Sequence, residues 1–184
     1  MIQQLQPVLL GVKVVLRDIV RKDIDTMACW PRFAEPDLQW ANLDLTTERD
    51  RDAFFERGKS NYNRRRFSIF SQSGRMVGTV GLRNIDFIAR EGTLGIIIRA
   101  DEVGRGYGGD AIRRVVEYAF GQLELRRVIL DVAETNTRAR RCYQRVGFVE
   151  TGQHVGPGGL VFTDMAITPR ELDSGHDGTR AGAR

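Results

Sequence analysis

A glycine-rich stretch just past the middle of the chain constrains the fold more than any other feature. Residues 103–111 read Val-Gly-Arg-Gly-Tyr-Gly-Gly-Asp-Ala and lie between an apolar run at 94–98 and a helical pattern that begins at Ala111. Because glycines lack side chains, several backbone N–H groups of such a turn can approach one anion closely. The N-terminus of the following helix adds a partial positive charge. The stretch therefore predicts a strand, a pyrophosphate-binding turn and a helix.

Other nucleotide-binding turns fit this stretch poorly. A P-loop ends in Gly-Lys-Ser or Gly-Lys-Thr, whereas the corresponding residues here are Gly109, Asp110 and Ala111, with no lysine and no hydroxyl for magnesium. A dinucleotide-binding fold places its glycine turn in the first strand-turn-helix unit, and this turn comes after several predicted strands. An ordinary strand-to-helix loop without a ligand is the remaining alternative.

A second informative stretch covers residues 136–148. Asn136 is a favourable helix N-cap, and apolar residues recur at helical spacing up to Val146. Gly147 is placed to end the helix, and a strand is predicted from Phe148 to His154. The stretch predicts a short helix followed directly by a strand.

Together the two stretches resemble the GNAT superfamily of acetyl-CoA-dependent N-acetyltransferases. The family pattern Asn-x-x-Ala-x-x-x-Tyr, followed by x-x-x-Gly-Phe, matches residues 136–148 without a gap. The pattern Arg/Gln-x-x-Gly-x-Gly/Ala aligns with residues 103–108, with Val103 in place of the expected Arg or Gln. The overall pattern is nearest to the group that acetylates the N-terminal alanine or serine of ribosomal proteins.

The resemblance implies a role for each matched residue. Backbone N–H groups of the glycine turn would hold the CoA pyrophosphate, Asn136 would bind the pantetheine arm, and Tyr143 would protonate the departing thiolate. The strand at 94–98 would splay from its neighbour, pair with the pantetheine amides and offer an N–H near Ile97 or Ile98 to the oxyanion. The implied cofactor-binding residues are Ile97, Ile98, Val103, Gly104, Arg105, Gly106, Tyr107, Gly108, Gly109 and Asn136.

Each role has a structural alternative. Arg105 either contacts the phosphates or is simply solvated, Asn136 is either a ligand or only a helix cap, and Tyr143 is either an acid or a core tyrosine. Because the first position of the motif mainly offers its backbone to the phosphates, Val103 puts a side-chain contact with them in doubt more than the backbone binding site itself.

The implied activity is transfer of acetyl from acetyl-CoA to a primary amine of a small molecule or of a protein N-terminus. The alternative is a CoA-binding sensor or partner-binding module without turnover. The amine must be neutral to attack, which requires a base or a water chain. Glu91 is the first candidate base because a regular strand places it on the same face as Thr93, where relatives often carry glutamate. Asp86 and Glu134 are reserves.

The acceptor pocket in this family is shaped by the first two helices and the last hairpin. Aromatic and acidic residues in the corresponding segments either clasp a cationic amine or pack in the core. They are Trp30, Phe33, Glu35, Asp37, Trp40, Phe54 and Phe55. Family members often pair, so the resemblance also allows a homodimer.

The alternation of strand and helix patterns predicts an α/β fold. We expect a central mixed sheet of about six or seven strands flanked by about four helices, as in GNAT enzymes, within one domain at 1–169. From residue 170 the chain loses its apolar pattern, and residues 170–184 are expected to form a flexible tail.

Charge and composition narrow the partners. A net charge of +4 suits a polyanionic cofactor but is too small to indicate a nucleic-acid partner. The cluster Arg64, Arg65 and Arg66 is expected to be a solvated corner between a helix and a strand and not an RNA contact. Two cysteines and two histidines lack metal-ligand spacing, so we expect no metal. Without a signal peptide pattern or a long apolar run, a soluble cytoplasmic protein is expected.

Overall fold

The computed structural model describes residues 8–34, 38 and 42–174. Within them the chain forms one eight-stranded mixed sheet with the strand order β1-β2-β3-β4-β5-β6-β8-β7. All neighbouring strands are antiparallel except the parallel pair β5 and β6 at the centre. The strands are β1 Leu9–Leu10, β2 Val14–Asp18, β3 Arg65–Ser71, β4 Met76–Asp86, β5 Glu91–Ile98, β6 Arg127–Ala133, β7 Val149–Val155 and β8 Val161–Ile167.

Five α-helices accompany the sheet in the described part of the chain. None of them is long and apolar enough to cross a membrane. The helices are α1 Arg21–Ala28, α2 Glu48–Gly58, α3 Tyr107–Gly121, α4 Thr137–Val146 and α5 Pro169–Ser174.

The mixed α/β fold predicted from the sequence is confirmed, with eight strands instead of six or seven. The short strand β1 was not predicted, because two residues carry no readable period. The prediction of a flexible tail from residue 170 was wrong for residues 170–174, which belong to α5. Glu171 accepts hydrogen bonds from the backbone N–H and hydroxyl of Thr168, and Leu172 packs on the core. Residues 175–184 lie outside the described residues.

The main core lies between the sheet and α3. One stripe of this helix is fully buried, because Ile112, Val115, Val116 and Ala119 recur at helical spacing and meet apolar residues of the central strands. Asp110, in the first turn of α3, accepts hydrogen bonds from the backbone N–H of Lys13 (2.6 Å) and of Val14 (3.1 Å). The start of the helix is therefore held against the start of β2.

The central parallel pair separates after three residues. Glu91, Gly92 and Thr93 of β5 pair with the first three residues of β6, and no further pairs form, although β5 continues to Ile98. Over the same length β4 stays paired with β5, and β8 stays paired with β6. The two halves of the sheet therefore diverge, and a V-shaped gap opens between the carboxyl ends of β5 and β6.

A buried ionic network joins α1 to the sheet. The Asp23 carboxylate accepts hydrogen bonds from the Arg17 guanidinium at 2.7 and 2.8 Å, from the Ser68 hydroxyl at 2.6 Å and from the backbone N–H of Val20 at 3.0 Å. Burial acts to raise the pKa of Asp23, but the three partners outweigh it, so the pKa of this carboxyl lies below its ordinary value. The ionised form is thus the one that stabilises the fold.

We expect Asp23→Asn to lower the free energy of unfolding at neutral pH by about 2 kcal/mol, because charge-assisted hydrogen bonds to a buried group are lost. A depressed native pKa contributes stability above the unfolded pKa and loses it as the pH falls through the native value. The difference between the two proteins should therefore narrow below about pH 4. Urea unfolding at pH 7 and pH 3 measures this difference in the free energy of unfolding. Asp25→Asn, on the exposed face of the same helix, is the control. An equal loss at both pH values would contradict the assignment.

Candidate active site

The glycine turn has the backbone conformation that its composition predicts. Gly104 and Gly106 have φ angles of 82° and 85°, in the left-handed region that favours glycine. Gly106 is the N-cap of α3, which begins at Tyr107. The predicted order of strand, turn and helix is therefore confirmed, although the helix begins at Tyr107, four residues before Ala111.

The N–H groups of this turn are available to a ligand. Among the residues that the structure describes, no carbonyl or side chain accepts a hydrogen bond from the backbone N–H of residues 104–109, and the first such bond runs from Asp110 to Gly106. A helix leaves its first N–H groups unpaired, and here the preceding turn adds more. The result is a cluster of donors at the positive end of the α3 dipole.

A buried carboxylate holds the turn in place. Glu102 is 3% exposed and forms ion pairs with Arg75 at 3.1 Å and with Arg105 at 3.2 Å. Glu102 was not predicted from the sequence, although an acid that precedes a glycine turn is a signal for such a role. Since Arg105 is engaged with Glu102, its expected contact with a phosphate stays a prediction.

The turn borders a cavity of about 560 Å³, which we call the turn cavity. It runs from the glycine turn, past the carboxyl ends of β5 and β6, to α4 and β8. The structure brings all the predicted cofactor-binding residues except Arg105 to its wall. The lining includes Ile96, Ile97, Ile98, Val103, Gly104, Gly106, Tyr107, Gly108, Gly109, Asp131, Asn136, Arg138, Cys142, Tyr143, Arg145 and Phe162.

The strand pairing decides which N–H groups of β5 face the gap. The N–H of Arg99 bonds to the carbonyl of Val77, and Ile97 lies opposite Thr79 in the same register. Because hydrogen bonding alternates along an antiparallel pair, the N–H of Ile97 also points toward β4. The N–H groups of Ile96 and Ile98 point into the gap. Of the two predicted oxyanion donors, the register therefore favours Ile98.

Two side chains of α4 and its cap lie on the opposite wall. The Asn136 side chain accepts a hydrogen bond from the N–H of Ala139 at 3.1 Å, so this residue is a helix cap and also lines the cavity. Tyr143 is 8% exposed, and its ring meets Phe148 edge-on at 5.8 Å. Burial raises the pKa of the Tyr143 phenol above its usual range, and the charges of Cys142 and Asp131 act in the same direction. The hydroxyl therefore keeps its proton.

A second cavity, of about 320 Å³, lies beside the first, and we call it the arginine cavity. It shares Ile96, Ile97, Asp131 and Tyr143 with the turn cavity, so the two meet at the gap between β5 and β6. The cluster Arg64, Arg65 and Arg66 was expected to form a solvated corner. These three side chains are instead half-buried on the wall of this cavity. The full lining is Leu43, Phe54, Arg64, Arg65, Arg66, Thr79, Val80, Gly81, Leu82, Arg83, Leu94, Gly95, Ile96, Ile97, Asp131 and Tyr143.

The structure places the predicted base candidates away from this junction. Glu91 lies at the opposite end of β5 from Ile98, roughly 20 Å along the strand, and pairs with Arg127 at 2.9 Å. The Asp86 carboxylate accepts two backbone N–H groups of the β4–β5 turn, and Glu134 is exposed beyond β6. The structure therefore does not bring Glu91 to the junction, because alternation along a strand specifies a face but not the end at which the strands separate, and its role as the base stays a prediction.

Asp131 is the acid that the sequence analysis overlooked. It lies in the middle of β6, between the buried residues Leu130 and Val132, and borders both cavities. Its carboxylate is 3.9 Å from the Arg83 guanidinium. The available signal was a charged residue inside an apolar central strand, where both faces are usually covered.

The aromatic and acidic residues predicted to shape the acceptor pocket do not all lie at one site. Trp30 and Phe33 line a further cavity that reaches Ile97, whereas Phe54 and Phe55 pack against a smaller apolar cluster beside α1. Phe54 also lines the arginine cavity. Glu35, Asp37 and Trp40 lie outside the described residues.

Comparison with known proteins agrees with this geometry. The pattern that defines the acetyltransferase (GNAT) domain matches residues 13–149. The chain is 35% identical over 91 residues to the spermidine N(1)-acetyltransferase of Vibrio cholerae, covering 50% of this chain and 53% of that protein. It is 35% identical over 80 residues to a putative ribosomal N-acetyltransferase of Bacillus subtilis, covering 44% of each. The chain thus aligns with about half the length of these curated relatives.

The fold also resembles solved structures. The crystal structure of a spermidine N-acetyltransferase from Vibrio cholerae, in complex with CoA and spermine, superposes with a TM-score of 0.71. The superposition covers 87% of this chain and 98% of that one at 22% sequence identity. At this identity the likeness concerns the fold.

The burial of Tyr143 has a spectroscopic consequence. An ordinary tyrosine is half-ionised near about pH 10. Because the pKa of Tyr143 is raised, we expect wild type and Tyr143→Phe to show the same rise in phenolate absorbance through that pH, while near-ultraviolet circular dichroism remains native. A smaller rise in the variant would show that the phenol ionises normally and would contradict the buried placement.

Proposed function

The chain belongs to the GNAT acetyltransferase family, and we propose that it is an N-acetyltransferase whose donor, acetyl-CoA, binds in the turn cavity and whose amine acceptor enters from the arginine cavity. The junction of the two cavities at the gap between β5 and β6 carries this proposal. A donor and an acceptor that approach from opposite sides meet there, beside Tyr143 and Asp131.

The turn cavity fits the chemistry of CoA. The unpaired N–H groups of residues 104–109 suit the two negatively charged phosphates, and the exposed backbone of β5 beyond Thr93 suits the amides of the pantetheine arm. Arg138 and Arg145 add positive charge to the lining. When bound, acetyl-CoA supplies the acetyl group as an activated thioester.

The residues at the junction supply the proton transfers. Asp131 accepts a proton from the attacking amine, directly or through water, as the new C–N bond forms. The N–H of Ile98 donates to the acyl oxygen, on which negative charge builds up. Tyr143 donates its proton to the sulfur as the C–S bond breaks, and exchange with solvent restores both side chains.

The role of the glycine turn in CoA binding can be tested by introducing backbone strain at one of its residues. We expect Gly106→Val to weaken CoA binding at least tenfold, because a β-branched residue with φ near 85° must distort the turn that presents the N–H groups. Titration calorimetry measures the affinity. Gly74→Val is the matched control, since Gly74 has φ of 80° in the β3–β4 turn with open space around it. Equal loss of affinity in both variants would mean that the effect is general destabilisation.

The catalytic assignment can be tested by turnover of two variants. We expect release of CoA thiol from acetyl-CoA on addition of an amine, and a loss of roughly 10²-fold or more in kcat for Tyr143→Phe, which removes the acid, and for Asp131→Asn, which removes the base. Cys29→Ser, at an exposed position, is the control.

The alternative, a CoA-binding module without turnover, predicts CoA binding but no thiol release with any amine. Turnover that neither variant reduces would instead mean that other groups move the protons.

A further inference from the structure

The charge of the arginine cavity distinguishes it from a site for polycations. Four arginines line it, and Asp131 is the single acid among the lining residues that the structure describes. Arg65 faces away, because its guanidinium donates to the Tyr118 hydroxyl at 3.3 Å and to the carbonyls of Asn61 and Arg64. The arginine trio that remains consists of Arg64, Arg66 and Arg83.

Strand geometry places the three side chains of the trio around the same part of the cavity. Arg64 and Arg66 are two residues apart in extended chain and share a face, opposite to that of Arg65. In the sheet register Arg66 lies across from Gly81, and Gly81 lies across from Gly95. Because neither glycine has a side chain, a bare patch of backbone is left on the sheet beside the gap. A Cβ on Gly95 would lie 3.7 Å from the Arg83 guanidinium, so Arg83 borders the bare patch.

Within the described residues the trio has one neighbouring counter-charge, the Asp131 carboxylate. Neither Arg64 nor Arg66 forms an ion pair there, and Arg83 reaches Asp131 only at 3.9 Å. Arg66 is half-buried over the ring of Phe54 at 4.4 Å and donates its Nε hydrogen to Thr79 at 3.2 Å. Burial and the neighbouring charge of Arg64 lower the pKa of Arg66 to about 10, and it stays charged at neutral pH.

We propose that the amine acceptor of this enzyme carries an anionic group, a carboxylate or a phosphate, that is bound by Arg64, Arg66 and Arg83. The inference rests on the proposed function and specifies the acceptor of the same site. Guanidinium groups bind both anions through paired N–H donors. A cavity of about 320 Å³ suits a small molecule or a single terminal residue. A polycation would meet like charges there, so the polyamines named for relatives are not expected to be good acceptors.

The first experiment compares acceptors of matched length. Wild-type enzyme with acetyl-CoA is assayed for thiol release with ω-amino acids, aminoalkyl phosphates, neutral amino alcohols of the same chain lengths, and spermidine. We expect kcat/KM for the better anionic series to exceed that of the neutral series by roughly tenfold or more, with spermidine lowest. The two anionic series distinguish a carboxylate from a phosphate. Preference for neutral amines or for spermidine would overturn the inference and leave the proposed function standing.

The second experiment removes one charge at a time. We expect Arg83→Gln and Arg64→Gln to raise KM for the preferred anionic amine by roughly tenfold with a smaller change in kcat, and to raise KM for the neutral amines much less. Because Arg83 also lies beside the Asp131 carboxylate, its effect on kcat is compared for both classes of amine. Arg83→Lys, which keeps the charge, should recover part of the affinity. Arg49→Gln, on the exposed side of α2, is the matched control. Equal losses for anionic and neutral amines would show a merely structural role and overturn the inference.

Calorimetry separates the two proposals if turnover is absent. In the presence of CoA, binding of an anionic amine that Arg83→Gln weakens would support the charged site while the acetyl-transfer function fails. Absence of such binding in wild type across both anionic series would overturn the inference directly.

Discussion

The separation of β5 from β6 is the structural feature on which the candidate site depends. Two central parallel strands pair through Thr93 and then part, while each keeps its outer neighbour. Buried backbone N–H and C=O groups are costly when unpaired, so a gap of this kind persists only where another group can satisfy them. The N–H groups of Ile96 and Ile98 face this gap, and the proposed function assigns them to the amides of the pantetheine arm and the acyl oxygen. The same gap joins the two cavities and gives a reaction centre access from both sides.

Electrostatic features on the two sides of the gap differ in origin. Around the turn cavity, positive potential comes mainly from backbone N–H groups and the α3 dipole, held in place by Glu102 and Asp110. Around the arginine cavity it comes from side chains, with Arg66 stacked on Phe54. Main-chain donors are set by the backbone conformation, whereas the charge of the arginine cavity depends on the side chains at a few positions.

The sequence predicted the backbone of the glycine turn and of α4 better than the wall of the arginine cavity. Glycines with positive φ, the helix that follows the turn and the Asn136 cap are local features, since each depends on residues a few positions apart. Asp131 and Arg83 come together from β6 and β4, and their proximity depends on strand order. Glu91 was chosen by alternation along one strand, which specifies a face but not the end at which the strands separate.

The amino-acid sequence by itself determined most of the order of strands and helices, the glycine turn and the resemblance to the family, because these depend on short-range spacing and backbone preference. Only the tertiary structure decided where β5 leaves β6, which N–H groups face the gap, and which charges line the arginine cavity. Those features arise from register and from contacts between residues distant in sequence. They are properties of how the strands are arranged in space, and no local pattern encodes them.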